Sequence, residues 1–324
     1  MATLSSVERE SPGAAPTTPG PGGRGPSLAA RAKRLVTGKR AAPYWLVLPF
    51  VLGFALFSVF PILWSVLLSF EHWTMSQTTW VGLANYRYVL STPAVGKAFL
   101  NIVWFAVVND VFQIVIALVL SLLLTTGFMR KYSLGLSAAM FLPNVVPGAA
   151  VAVLFSVLLG TNGLVPSVLS NIGIHINWLD STTWSKPAVI LAGSWQWIGF
   201  WVLVLVAALR AVPADYYEAA RVDGAGLLRR MWSISIPIIR PALIFVISVN
   251  TIGTMQLFDV PFLLFGQTPG GPDNSATTPV VQLYQYAFSN ADLGSAAAIG
   301  WVLTFAIVVV TLAFLVVARR KEWI

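Results

Sequence analysis

The sequence predicts an all-α, polytopic membrane protein with six transmembrane helices. Three observations carry that prediction. Of 324 residues, 57% are hydrophobic and only 10% are charged, whereas a soluble domain carries about 25% charged residues. The apolar residues gather in six long runs. The basic residues fall almost entirely into alternate loops between them.

Each run is long enough to cross a bilayer, which takes roughly 20 apolar residues at about 1.5 Å rise per residue. Leu46–Phe70 carries no charge, and Phe99–Leu124 contains only Asp110. Ser133–Leu159 and Ala188–Leu209 are uncharged. Ala242–Phe265 contains only Asp259, and Ala296–Ala318 closes the set without charge. Pro49, Gly53, Pro61, Pro143 and Pro147 lie inside these runs. Such residues are tolerable in buried membrane helices, where neighbours satisfy the freed backbone groups.

Lys and Arg concentrate on the cytoplasmic side of membrane proteins. One side here holds the N-terminal tail (Arg9 to Arg40), Arg130 and Lys131, the fourth loop with its margins (Arg210, Arg221, Arg229, Arg230, Arg240), and Arg319, Arg320 and Lys321. That side has 17 of the 20 basic residues. Arg87, Lys97 and Lys186 alone lie on the other. Both termini are therefore expected in the cytoplasm. The domain plan is a disordered cytoplasmic tail over residues 1–40, rich in Pro, Gly, Ser and Ala, followed by a transmembrane domain over 41–324. The tail's basic cluster, Arg31–Arg40, is expected to rest on anionic headgroups.

Composition excludes several functions. The net charge of +8 does not mark a nucleic-acid binder, because the basic residues sit in short loops rather than on one face. With no cysteine and only His72 and His175, disulfides, thiolate chemistry and His-based metal sites are not expected. No Gly-x-x-x-x-Gly-Lys-Ser/Thr phosphate loop occurs, so the chain is not expected to hydrolyse ATP by itself.

The cytoplasmic loop 211–240 is longer than a connector needs to be. Pro213 suits the start of a helix, and Asp215 and Glu218 suit its positive end. Asp223-Gly224 is a turn signal. Leu227–Ser233 reads as a second short helix, with Pro237 and Pro241 marking the return to the membrane. The pattern predicts a helix–turn–helix with a small-residue elbow. From pattern alone, two readings stand side by side: a loop lying on the headgroups, and a device that another surface approaches.

Within the membrane, a carboxylate costs roughly 2.5–3.5 kcal/mol at mid-depth, so it faces a partner or a cavity. Asp110, near Asn109 and Gln113, is open to either role. Asp259, read along an unbroken fifth span, lies about 27 Å from the cytoplasmic end. It joins Asn250, Thr254 and Gln256 as polar groups on that span. In the fourth span, Trp195, Gln196 and Trp197 offer ring faces and an amide. That combination suits the C–H faces and hydroxyls of a sugar, though Trp is also common near membrane interfaces. Trp201 reads as packing. An ion-coupled secondary transporter using Asp110 and Asp259 is an alternative of another class, and it leaves the long loop unexplained.

The stretch Tyr217-Glu218-Ala219-Ala220-Arg221-Val222-Asp223-Gly224-Ala225, with Ile236-Pro237 and Arg240-Pro241, resembles the EAA loop of bacterial ABC importer permeases. Its spacing resembles that of the carbohydrate branch, the MalF-like permeases. The resemblance extends over roughly residues 44–324, including Tyr44-Trp45, Leu48-Pro49, Phe141-Leu142-Pro143 and Thr268-Pro269-Gly270-Gly271-Pro272. It implies a non-catalytic permease subunit of the bacterial cytoplasmic membrane that forms half of a pathway for a sugar. The implied partners are a second permease, two cytoplasmic ATPase subunits and an extracytoplasmic solute-binding protein. ATP and Mg would be bound by the ATPase, with no cofactor in this chain. Glu218, Ala219, Ala220, Asp223, Gly224 and Ala225 would form the coupling contact. Trp195, Gln196, Trp197, Asn250, Gln256, Asp259 and Asp110 are the candidate pathway residues. A polyol or glycerol-phosphate importer is the alternative within the family. The six runs contain no Lys or Arg, which disfavours an anionic solute unless the second permease supplies positive charge.

Overall fold

The computed structural model describes residues 42–73 and 78–320. The tail over 1–40, with its basic cluster, and Lys321 lie outside the described residues. Among the described residues, six helices are long and apolar enough to cross a membrane: Tyr44–Leu68, Pro93–Thr125, Gly148–Ser170, Ser185–Arg210, Arg240–Leu263 and Leu293–Arg319. They are called the first to sixth spans below. The chain divides into two compact units, residues 1–62 and 63–324, and each is described by itself.

In the first unit, the helix Ala42–Phe54 continues through a π-turn at Ala55–Val59 into the helix that begins at Phe60. Pro61 lies just past the π-turn. Its missing N–H leaves the ladder one bond short, which favours such a bulge. None of the side chains from Tyr44 to Ile62 is buried. A helix apolar all round needs lipid or another chain around it.

The second unit holds the remaining spans. The second, Pro93–Thr125, is a continuous helix of 33 residues, longer at both ends than the predicted 99–124. Pro93 starts it, where no N–H is needed. The fourth, Ser185–Arg210, is the most buried of the six and packs along the second. The last helix, Leu293–Arg320, likewise runs past the predicted 296–318.

Two predicted spans are not single helices. The run 133–159 forms a helix at Ser133–Phe141, a 3-10 turn at Leu142–Val145, and a second helix at Gly148–Leu159. Pro147 causes the break. It holds Val146 in an extended conformation (ψ 131°), as residues before proline prefer. The run 242–265 forms helices at Arg240–Met255 and Asp259–Leu263. Here Pro261 is responsible, because it cannot donate to the carbonyl of Leu257 four residues earlier and its ring collides with it. Thr278 Oγ1 donates to that carbonyl instead, at 2.7 Å.

Outside the spans, Glu71–Trp73 and Thr78–Trp80 form an unpredicted antiparallel hairpin, with Glu71 opposite Trp80 and Trp73 opposite Thr78. The loop 266–295 is folded inward rather than loose. Asn101 Nδ2 donates to the carbonyls of Asn274 and Thr277 at 3.1 and 2.9 Å, and the Ser185 and Ser275 hydroxyls lie 2.6 Å apart.

Of the three apolar clusters in this unit, two lie along the second, fourth and fifth spans. One contains Ile102, Phe105, Val189, Ala192, Val260 and Leu264. The other contains Ala117, Leu124, Val202, Leu205, Leu209 and Val246. The second, fourth and fifth spans contribute to both. Between the clusters, at the same level on each span, the residues turn polar: Asn109, Asp110 and Gln113 on the second; Ser194 and Gln196 on the fourth; Asn250, Thr251 and Thr254 on the fifth. Along these three spans, two greasy blocks are thus separated by a polar layer.

Candidate functional site

The polar layer has a closed back and an open front. At the back, Asp110 is buried and its carboxylate is fully engaged. Asn250 Nδ2 donates to Oδ1 at 2.7 Å, Thr254 Oγ1 to Oδ1 at 3.1 Å, and Thr251 Oγ1 to Oδ2 at 2.5 Å. Asn109 Nδ2 donates to Thr254 Oγ1 at 3.0 Å, and Gln113 Nε2 to Asn109 Oδ1 at 3.0 Å. This network clamps the second span to the fifth. Hydrogen bonds to an ionised group in a dry medium are the strong kind, and they meet the insertion cost of the carboxylate.

At the front, a cavity of about 640 Å³ opens onto the layer. Asn109, Gln113, Gln196, Asn250 and Thr254 supply polar lining, with Gln256 and Asp259 at the break in the fifth span. Phe105, Trp197, Phe200, Trp201 and Phe258 supply aromatic walls. The lining contains no Lys, Arg or His and one carboxylate, Asp259. Two buried polar atoms in this wall have no hydrogen-bond partner among the described residues: the acceptor Gln113 Oε1 and the donor Trp201 Nε1. Unsatisfied buried groups are costly in a closed core. Here their residues line the cavity, while the two atoms themselves are buried.

The two helix breaks meet at this cavity. Val146, left without a helical donor at the Pro147 break, has its carbonyl satisfied by Gln196 Nε2 at 2.8 Å. Irregular backbone at membrane depth persists only when something satisfies it in this way. Gly148 begins the next helix, and a Cβ there would fall 2.5 Å from Asp259 Oδ2. The glycine therefore lets the Asp259 carboxylate sit at the positive end of a 12-residue helix.

The sequence-predicted pathway residues separate accordingly. Gln196, Trp197, Asn250, Gln256 and Asp259 all line the cavity. Trp195 does not; it packs against Phe155 with ring centroids 5.8 Å apart. Asp110 stands behind the wall, bonded to residues that line it. Asp259 opens a new short helix after the break, so its depth does not follow from counting up a continuous span. Sequence reasoning missed Thr251, Gly148, Phe258 and the cavity role of Trp201. The proline at 261 was the available signal for the break that brings Phe258 and Asp259 round.

The predicted cytoplasmic loop forms the second feature. Ala214–Val222 is helical, with Pro213 just ahead of its first turn (ψ 138°). It ends in a Schellman turn: Ala225 N–H donates to Ala220 O at 2.8 Å and Gly224 N–H to Arg221 O at 3.0 Å. Gly224 has φ +70°, a conformation that a Cβ disfavours. The chain then runs helically from Leu227 through a π-turn at Met231–Ser235 to Ile238, longer than the predicted 227–233. Tyr217 Oη and Ser235 Oγ, 3.0 Å apart, tie the two arms together. The outward face is apolar and open: Val222 is 89% exposed, Leu228 69% and Trp232 65%. Glu218, Ala219, Asp223 and Gly224 are exposed beside it.

Broken membrane helices around a mid-span polar cavity, with a rigid elbow projecting from one end, define a transport permease. The chain belongs to the family of binding-protein-dependent transport system inner membrane components, whose model matches residues 113–322. It is 30% identical to the arabinooligosaccharides transport system permease protein AraP of Bacillus subtilis (strain 168), over 86% of this chain and 88% of that protein. It is 31% identical to the lactose transport system permease protein LacF of Rhizobium radiobacter, over 86% of this chain and 94% of that protein. Its fold is that of a chain from a bacterial ABC transporter involved in the import of the acidic polysaccharide alginate. The TM-score is 0.78 at 22% identity, covering 90% of this chain and 99% of that one.

Proposed function

We propose that this chain is a permease subunit of a binding-protein-dependent ABC importer, and that the solute it passes is a neutral sugar. The observation that carries the substrate class is the cavity wall. It offers aromatic faces, amides and hydroxyls, one carboxylate and no positive charge. A sugar's C–H faces suit the rings and its hydroxyls suit the amides. An anionic solute would need basic residues to offset its desolvation. The arabinooligosaccharide and lactose permeases among the relatives support a saccharide. Others are named for sulfoquinovosyl glycerol and sn-glycerol 3-phosphate, so neutrality rests on the cavity wall alone.

The elbow is the proposed coupling element. Its exposed Val222, Leu228 and Trp232 leave apolar side chains uncovered, as interaction surfaces do. A cytoplasmic ATPase seated there would use Glu218, Ala219, Ala220, Asp223, Gly224 and Ala225 as its contact and would supply ATP and Mg. The orientation follows from the basic residues, 17 of 20 on the elbow's side. A second permease completes the pathway, and a solute-binding protein delivers the sugar from outside. No step is covalent, so the side chains bind and move rather than catalyse.

The test is solute-stimulated ATP hydrolysis by the assembled transporter with its binding protein, across a panel of neutral mono- and oligosaccharides, uronates and glycerol phosphates. The expected result is stimulation by a neutral saccharide alone. Stimulation only by an anionic solute would overturn the substrate class.

A further inference from the structure

A second cavity, of about 620 Å³, lies on the inner side of the elbow, away from Val222, Leu228 and Trp232. It is enclosed by the ends of the second and fourth spans, the turn after the second span, and both arms of the elbow. Four arginines line it: Arg130 from the turn after the second span, Arg210 from the end of the fourth span, and Arg221 and Arg230 from the two arms of the elbow. The lining contains no Asp or Glu. Arg210 is held in place, with Nη1 donating to Ser133 Oγ at 2.9 Å. Arg230 Nε is buried and has no hydrogen-bond partner among the described residues.

Four guanidiniums around one space repel each other, and a buried N–H without an acceptor adds to the cost. The repulsion is relieved when a multiply charged oxyanion enters, because guanidinium forks match phosphate oxygens in pairs. The remaining lining includes Leu122, Leu209 and Met231, which suits the carbon skeleton of a phosphate ester. We infer that this cavity is a binding site for a phosphate-bearing anion that ties the elbow to the second and fourth spans. The bridge would join Arg221 and Arg230, on the elbow, to Arg130 and Arg210, at the span ends. The geometry stands by itself; only placement at the inner headgroups rests on the orientation proposed above. A phospholipid headgroup and a soluble phosphate ester share the required chemistry. An acidic segment of a docked protein is disfavoured, because the elbow presents its apolar face outward and these arginines inward.

The assembled transporter in nanodiscs of neutral phosphatidylcholine, with or without phosphatidylglycerol, separates the sources. A further arm adds inorganic phosphate or glycerol 3-phosphate to the neutral discs. The readouts are the unfolding temperature and the phosphatidylglycerol retained in native mass spectrometry, neither of which requires transport. Stabilisation by phosphatidylglycerol identifies the headgroup, and stabilisation by the soluble probes identifies a free phosphate. Arg221→Gln and Arg230→Gln should each weaken the response about tenfold, as expected for one lost charge-assisted hydrogen bond, and the pair should abolish it. The inference is overturned if no probe stabilises the unaltered protein, a result that does not depend on how the variants fold. It is equally overturned if the double variant responds like the unaltered protein, or if the substitutions change only retention of the ATPase. A failure here leaves solute-stimulated ATP hydrolysis intact, so it is distinguishable from failure of the importer reading.

Discussion

The cavity and the elbow solve opposite problems. The mid-span layer buries polar groups in the driest part of the molecule and satisfies most of them internally; Asp110 alone accepts from three side chains. The elbow does the reverse and leaves Val222 and Trp232 in the open, at the wettest end. A site that must bind and release needs a rigid frame with a few unfilled contacts. A site that must grip a partner needs uncovered apolar surface on a stiff support. The difference teaches that substitutions in the cavity frame should act on stability, whereas substitutions on the elbow should act on coupling with the fold intact.

The largest test of that division is Asp110→Leu. It strands Asn250, Thr251 and Thr254, each having lost a charge-assisted bond worth about 1.5–3 kcal/mol. The expected outcome is a poorly assembled protein with a strongly lowered unfolding temperature in detergent, while Asp110→Asn is milder. Normal stability of Asp110→Leu would break the comparison from the cavity side. From the elbow side, Glu218→Lys and Gly224→Val should insert normally yet lose ATP-driven uptake. The valine must adopt φ near +70°, at a local cost of about 1–3 kcal/mol. Unchanged uptake in both would remove the elbow's assigned role.

Smaller effects sharpen the picture. Gln196→Leu leaves the Val146 carbonyl without its donor and should cost about 1–3 kcal/mol, read as a shift in thermal unfolding of the purified protein. Tyr217→Phe removes a hydrogen bond between the elbow's arms. It should cost about 1 kcal/mol, visible as faster hydrogen exchange at the Leu227–Ser235 backbone with uptake largely retained.

The two regions also differed in how far the sequence exposed them. The elbow is local: Pro213, Asp223-Gly224 and the small residues between them specify their helix and turn within a dozen positions. The spans were legible from apolar length. The cavity was not, because it depends on three spans meeting at one level. Asp110 and Asn250 are 140 residues apart, and nothing near either one announces the other. The breaks lay in between. Pro147 was in view but read as tolerated within one helix. Pro261, by ending the fifth span's first helix at Met255, moved Asp259 from a point far up a rod to the start of a helix facing Gly148.

Trp195 and Trp197 provide the most direct test of the central claim, that the mid-span cavity is the solute's path. They are two residues apart and equally exposed, at 43% each, yet only Trp197 lines the cavity. The chain has no cysteine, so Trp197→Cys and Trp195→Cys each introduce one unique thiol. In the assembled transporter with its binding protein, the rate of maleimide labelling is measured with and without the neutral sugar that stimulates hydrolysis. The account predicts that the sugar slows labelling at position 197 and leaves position 195 unchanged. Protection at 195 with none at 197 would contradict it.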